Sequence, residues 1–268
     1  MTFPVIDPVF LRLGPLQFRW YGLMYILGFL AAYFIIKSVA KSRQLLLSAE
    51  TVSDMVFSIA MGIVLGGRAG YIIFYNFSWY LANPLKIFAV WEGGMSFHGG
   101  LIGAIIAGIY IFRKNGLPFS VMADIIAHAG PVGLGLGRVG NFINGELYGR
   151  TTDLPWGIVF PGGGAMPRHP SQLYEAFLEG VLLFALVRTM EKRHPPPGSV
   201  FWTFISGYGF FRFLAEFFRE PDQQLGFLWG GATMGQLLSL PMFLLGIVMI
   251  IRGYQKQGKN IGSERSTQ

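Results

Sequence analysis

Apolar residues gather in seven long runs along this chain, near 20–38, 54–75, 97–112, 119–137, 172–188, 200–218 and 233–251. Each is roughly 16–22 residues, about the length an α-helix needs to cross the hydrocarbon core of a bilayer. The pattern predicts an all-α polytopic membrane protein with about seven transmembrane helices, forming a single integral membrane domain over residues 1–268. The longest stretch between runs, 142–171, carries Pro155, Trp156, Pro-Gly-Gly-Gly at 161–164 and Pro167. It reads as a small, turn-rich cap over the membrane mouth. His-Pro-Pro-Pro-Gly at 194–198 reads as a tight connection, because proline cannot continue a helix. The chain shows no internal repeat, inverted or parallel.

An odd number of spans puts the termini on opposite sides, and the basic residues choose which. Lys37, Lys41, Arg43, Arg113, Lys114, Arg188, Lys192, Arg193, Arg252, Lys256, Lys259 and Arg265 fall on one side. The positive-inside rule makes that side cytoplasmic. The other side holds Arg12, Arg19, Lys86, Arg150, Arg168 and Arg219, mostly in longer loops. The N-terminus and the cap are therefore expected outside and the C-terminus inside.

Composition agrees. Only 13% of the residues are charged, 52% are apolar, and the mean hydropathy is +0.48, whereas a soluble domain carries nearer a quarter charged residues. The net charge of +7 comes mainly from residues flanking apolar runs. No basic patch interleaved with aromatics is present, so nucleic acid is not expected as a partner. With no cysteine in the chain, disulfides, thiolate metal sites and a cysteine nucleophile are excluded. Met-Thr-Phe-Pro-Val-Ile-Asp at the start lacks the plan of a signal peptide, so the first span is expected to remain in the mature protein.

The polar groups within or at the rim of the spans are few. Charge at bilayer depth is costly, which makes each a candidate for function. Arg138, Asn141 and Asn144 recur every three residues and share one face if the helix persists. A guanidinium beside two amides suits a phosphate or carboxylate; the structural alternative is a buried pair of Arg138 with Glu146 or another acid. Tyr208, Arg212 and Glu216 follow at i, i+4 and i+8, either as one wall of a site or as a self-neutralising pair with a tyrosine beside it. His98 opens Phe-His-Gly-Gly-Leu-Ile-Gly and is either a general base or a helix-start histidine bonded to nearby backbone. Arg68 is read as structural, pairing with an acid on a neighbouring helix. Arg19-Trp20-Tyr21-Gly22 reads as an interfacial aromatic anchor. His128 has Asp124 four residues earlier, suiting a buried hydrogen bond, and His169 lies in the cap. Their spacing matches no familiar metal motif, and no metal is expected.

Four segments together carry a resemblance. They are Arg-Trp-Tyr-Gly at 19–22, His-Gly-Gly-Leu-Ile-Gly at 98–103, Gly-Arg-Val-Gly-Asn-Phe-Ile-Asn-Gly-Glu-Leu-Tyr-Gly-Arg at 137–150, and Tyr-Gly-Phe-Phe-Arg-Phe-Leu-Ala-Glu-Phe-Phe-Arg-Glu-Pro-Asp at 208–222. In content and order the chain resembles the bacterial prolipoprotein diacylglyceryl transferases over essentially its whole length, with the 137–150 run as the specific element. The resemblance implies transfer of the diacylglyceryl group of phosphatidylglycerol to the lipobox cysteine of a prolipoprotein, with a thioether and glycerol phosphate as products. It implies that His98, Arg138 and Arg212 are essential, with Tyr208 as partner of the second arginine. It also moves Tyr21 from anchor to site, and assigns Asn141, Glu146 and Gly149 to the signature. Asn144 and Glu216 complete the expected lipid-binding set.

That chemistry needs no cofactor, since the lipid and the peptide thiol bring the reacting groups. Two competing readings are an anion or lipid transporter and a non-catalytic membrane scaffold. The absence of repeated halves argues against the first, and the polar cluster at membrane depth against the second.

Overall fold

The computed structural model describes residues 1–4, 6–14, 16–90, 93–221 and 226–266, the side chains of Leu16, Trp229 and 260–266 excepted. Asp222 and the Arg265 side chain, both invoked above, lie outside these. Each of the seven apolar runs is helical. Four helical stretches are long and apolar enough to cross a membrane: Trp20–Ser42, Ala49–Tyr75, Phe119–Ile143 and Met234–Lys259. The chain divides into two compact units, Met1–Ile35 with Ala123–Gln268, and Ile36–Met122.

Helix α1 (Trp20–Ser42) starts in the first unit and ends in the second. In the second unit α2 (Ala49–Tyr75) begins at Ser48, whose hydroxyl accepts from the Thr51 amide at 3.0 Å and so satisfies one open donor of the first turn. The short α3 (Phe77–Ala82) and a 3₁₀ turn at Pro84–Phe88 lead to α4 (Phe97–Lys114), capped in the same way by Ser96. Helices α2 and α4 meet glycine to glycine. A Cβ built on Gly103 would lie 2.8 Å from the Gly62 carbonyl carbon and 3.0 Å from the Gly66 Cα, and Gly70 faces Gly99 as closely. Small residues at such a seam let helix backbones approach where hydrocarbon offers no hydrophobic drive between helices.

Arg68, buried in α2, pairs with no acid among the described residues. Its guanidinium donates to the carbonyls of Ile87 at 2.9 Å, Gly93 at 2.6 Å and Ala89 at 3.2 Å, and lies over the Tyr80 ring. A single side chain thus satisfies several carbonyls of a loop that has no helix or sheet to do so.

The first unit opens with a feature absent from the all-α expectation: β1 (Val9–Leu13) and β2 (Leu16–Arg19) form an antiparallel hairpin. Gly14 supplies the positive φ near its turn. The predicted span 119–137 is two helices, α5 (Phe119–Ala127) and α6 (Gly130–Ile143), broken at His128–Ala129. Because α6 runs to Ile143, Arg138 and Asn141 sit inside it and Asn144 caps it. The next run is continuous from α7 (Ser171–Glu175) through a π-helical stretch, Ala176–Leu182, into α8 (Leu183–Glu191). Helix α9 (Ser199–Ala215) ends before the predicted boundary at 218, and α10 (Met234–Ser266) continues well past 251 with Pro241 inside it.

Leu183, Val187 and Val200 are the buried centre against which Leu134, Phe204, Tyr208 and Phe211 pack. Asp124, fully buried, directs its carboxylate to the Gly198 and Phe201 amides, both at 2.8 Å, and so caps α9 from another helix. His128 therefore finds the Asp124 backbone carbonyl, at 2.9 Å, rather than its carboxylate. Gly103→Ala is expected to force α2 and α4 apart, lowering stability by about 1–3 kcal/mol. Thermal unfolding of the purified protein in detergent checks this as a lower midpoint.

Candidate active site

A carboxylate buried away from water has to be paired or neutral. Glu175 and Glu179, one at the end of α7 and one in the π stretch, are both completely buried, and three arginines converge on them. Arg212 Nη1 of α9 donates to Glu175 Oε2 at 2.6 Å. Arg219, just beyond α9, donates to both Glu175 oxygens at 3.2 and 3.4 Å. Arg138 Nε of α6 lies 3.0 Å from Glu175 Oε2 and 3.5 Å from Glu179 Oε2. Arg212 is held on its far side by Glu216 at 2.6 Å, and the Thr233 hydroxyl donates to the other Glu216 oxygen at 2.7 Å.

The two arginines named from the sequence thus share one acid, but they are held unequally. Arg212 is gripped from both sides. Arg138 makes its ion pairs through Nε alone, and none of its N–H groups is hydrogen-bonded to a described residue. The two side chains are about equally exposed, 17% and 14%, so what separates them is bonding: among the described residues the Arg138 fork is the one left open. The buried pairing of Arg138 expected as the structural alternative does form, with Glu175 and Glu179 and not with Glu146. Glu146 instead accepts from Asn141 and Asn144, each at 3.0 Å on the same oxygen.

Tyr21 joins this side. Gly140 leaves room for its ring, which comes within 2.9 Å of the position a Cβ would take there. The Tyr21 hydroxyl lies 3.4 Å from that of Tyr25 and close enough to Arg138 and Glu146 to feel their charges. Tyr208 packs into the buried centre beside the Glu179–Arg212 pair and stacks on Phe204. Between α6 and the π stretch lies an open apolar groove of about 510 Å³, lined by Val132, Gly135, Val139, Ala176, Phe177 and Gly180 among others. Gly135 and Gly180 nearly touch, a Cβ on Gly180 falling 2.9 Å from the Gly135 Cα.

Gly149 has a packing reason. A Cβ there would meet the His169 Cβ at 2.7 Å and the Phe218 carbonyl closer still. The next residue, Arg150, donates to the carbonyls of Arg219 at 2.9 Å and Glu216 at 3.1 Å, tying the cap to the C-terminal end of α9, where a cation is favoured. In the cap, His169 is held below its ordinary pKa near 6.5 by burial and then by the Arg150 charge, and so stays neutral. Its Nδ1 lies 3.3 Å from the Tyr174 hydroxyl, which accepts from Trp156 Nε1 at 2.7 Å.

His98 belongs to the other unit. It stands in the first turn of α4, exposed, with its ring edge-on to Phe97 at 5.6 Å. Glu175, Glu179, Arg219 and Thr233 were not singled out in the sequence. The spacing of the first two carried a signal: acids four residues apart inside an apolar run share a helix face.

Removing Glu175 leaves three guanidiniums around a vacated site. Glu175→Ala is expected to cost about 3–5 kcal/mol, since breaking a buried pair strands its partners. Chemical or thermal unfolding reads this, and wild-type stability would show that the arginines are solvated without it.

Residues 8–252 match the family model for prolipoprotein diacylglyceryl transferase. The chain is 66% identical over 251 residues to the phosphatidylglycerol–prolipoprotein diacylglyceryl transferase of Geobacter sulfurreducens, covering 94% of this chain and 96% of that one. It is 52% identical to the enzyme of the same name from Vibrio campbellii, over 96% of this chain and 94% of the relative. For that of Photobacterium profundum the identity is 51%, over 97% of each.

Proposed function

Because the chain belongs to the prolipoprotein diacylglyceryl transferase family, we propose that it moves the diacylglyceryl group of phosphatidylglycerol onto the lipobox cysteine thiol of prolipoproteins. The enzyme is a transferase: a C–S thioether bond forms, the bond between the glyceryl carbon and phosphate oxygen breaks, and glycerol phosphate leaves. We place this reaction in a seven-span domain of the bacterial inner membrane, with the N-terminus and the site at the outer face and the C-terminus in the cytoplasm. The substrate thiol reaches that face after export.

The observation that carries the reading is the unused fork of Arg138. A phosphate seated there meets a planar donor pair matched to two of its oxygens, with Arg212 behind as a second cation held by Glu175 and Glu216. As the C–O bond breaks, negative charge grows on the departing phosphate. Donors already aimed at it cost no reorganisation, and losing one such donor costs about 3–4 kcal/mol of barrier, a hundredfold or more in rate. The apolar groove starting at Val139 lets an acyl chain stay in hydrocarbon surroundings while its headgroup reaches the arginine.

The nucleophile is the thiolate, and a free thiol has a pKa near ~8.5. His98 takes the thiol proton in this scheme, a contribution of roughly 10²–10⁴-fold. Asn141, Asn144 and Glu146 form a polar shelf on the open side of α6 for the glycerol hydroxyls, Tyr21 flanks it, and Gly149 keeps the cap close to α9. Tyr208 and Glu216 hold Arg212 in place.

Purified protein with phosphatidylglycerol and a lipobox peptide carrying Cys is expected to give a peptide heavier by one diacylglyceryl unit, and the Ser peptide none. Arg138→Lys is expected to lose a hundredfold or more of that turnover while remaining folded, because a point ammonium lacks the fork. Absence of transfer by folded wild-type protein would redirect the reading to lipid or anion transport. His98→Gln is expected to depress kcat with KM for the lipid little changed; equal losses in turnover and lipid affinity would make His98 a binding residue.

A further inference from the structure

The ionic cluster is balanced as it stands. Arg138, Arg212 and Arg219 face Glu175, Glu179 and Glu216, so with all six ionised three positive charges meet three negative ones. A phosphodiester arriving at Arg138 adds one negative charge where the dielectric is low and water is scarce. Something has to restore the balance.

The three acids are not equally able to do so. Glu175 is held at 2.6, 3.0 and 3.2 Å by three guanidiniums. Glu216 has Arg212 at 2.6 Å and the Thr233 hydroxyl at 2.7 Å. Glu179 is the weakly held one. It is completely buried, its nearest cations are Arg138 at 3.5 Å and Arg212 at 3.7 Å, and neither of its oxygens receives a hydrogen bond. A phosphate that draws the Arg138 guanidinium toward itself loosens the closer of those two contacts. A buried carboxylate losing its counter-charge is neutralised far more readily than it is sustained.

We infer that Glu179 takes up one proton when the lipid phosphate seats on Arg138, so that anion binding at this site is proton-linked. The inference rests on the phosphate reading of Arg138 given above. Glu179 does not touch the lipid; it is a positioning residue that keeps Arg138 drawn inward in the empty site and releases it once protonated. The groups facing it are Arg138 from α6, Tyr208 and Arg212 from α9, Arg219 just beyond α9, and Glu175 on its own helix. The arginines remain charged throughout, Tyr208 is neutral, and Glu175 and Glu216 keep closer partners, so the proton goes to Glu179. Since binding takes up a proton, affinity falls as pH rises, by about tenfold per unit once Glu179 is ionised in the empty site.

The test is calorimetric titration of the full-length protein in detergent with short-chain phosphatidylglycerol, in two buffers of different ionisation enthalpy, across the neutral range. Wild type is expected to take up about one proton per lipid bound. Glu179→Gln is expected to bind with none taken up and with an affinity that is flat in pH, and Glu179→Asp to restore the uptake. Lipid binding by wild type without proton uptake overturns the inference and leaves the phosphate site standing. Uptake by Glu179→Gln equal to wild type also overturns it, placing the proton elsewhere, for example on His98. If wild type binds no phosphatidylglycerol at all, the phosphate site fails and the inference with it. If the glutamine variant does not fold, absence of wild-type uptake still overturns the inference, and uptake whose pH midpoint is unmoved in Glu179→Asp overturns it as well.

Discussion

The buried carboxylate of Glu175 is the interaction on which the candidate site depends. It is fully enclosed and meets guanidiniums from α6, from α9 and from the segment after α9. Each of those arginines would be costly if buried alone, as would the glutamate. Together they are tolerable, and their mutual pull ties α6, α7 and α9 to one point. Pairs of this kind contribute little net stability against an apolar equivalent, but losing one member is severe. They act here as geometry: they set where a guanidinium stands and which of its donors is left over.

Glycine makes that convergence possible. Gly135 and Gly180 bring α6 and the π stretch together beside the acids, and Gly140 lets the Tyr21 ring lie on α6 near Asn141. The wider π turn falls on the segment that carries Glu179, in keeping with the frequency of such turns at functional positions. At the other end of the site, Gly149 and Arg150 fasten the cap to the last carbonyls of α9. The 137–150 signature therefore combines two tasks. Arg138, Asn141, Asn144 and Glu146 present polar groups, and Gly149 with Arg150 fixes the roof above them.

Much of this was legible in the chain. The seven apolar runs are helical, the 119–137 run as two helices, and length with hydropathy is enough to find them. The three-residue spacing of Arg138, Asn141 and Asn144 and the four-residue spacing of Arg212 and Glu216 put each set on one face, and α6 and α9 keep those faces. The polar signature, distributed over four segments in order, identified the family, and 66% identity to a relative over 94% of the chain agrees. Local pattern carries such information because helix periodicity and motif chemistry are set by near neighbours.

What near neighbours do not set is who pairs with whom. Arg138 takes Glu175 and Glu179 rather than Glu146, Arg68 takes loop carbonyls, and the Asp124 carboxylate caps α9 while its backbone carbonyl meets the His128 ring. Arg212 and its acid partner are 37 residues apart, and at that separation the partner is chosen by packing and burial. The sequence by itself determined the membrane class, the helical segments, the family and the short list of polar residues. Only the tertiary structure decided that Arg212 is occupied, that the Arg138 fork is open, and that Glu179 is the loosely held charge between them, because the cost of a buried charge depends on distances to groups that folding alone brings near.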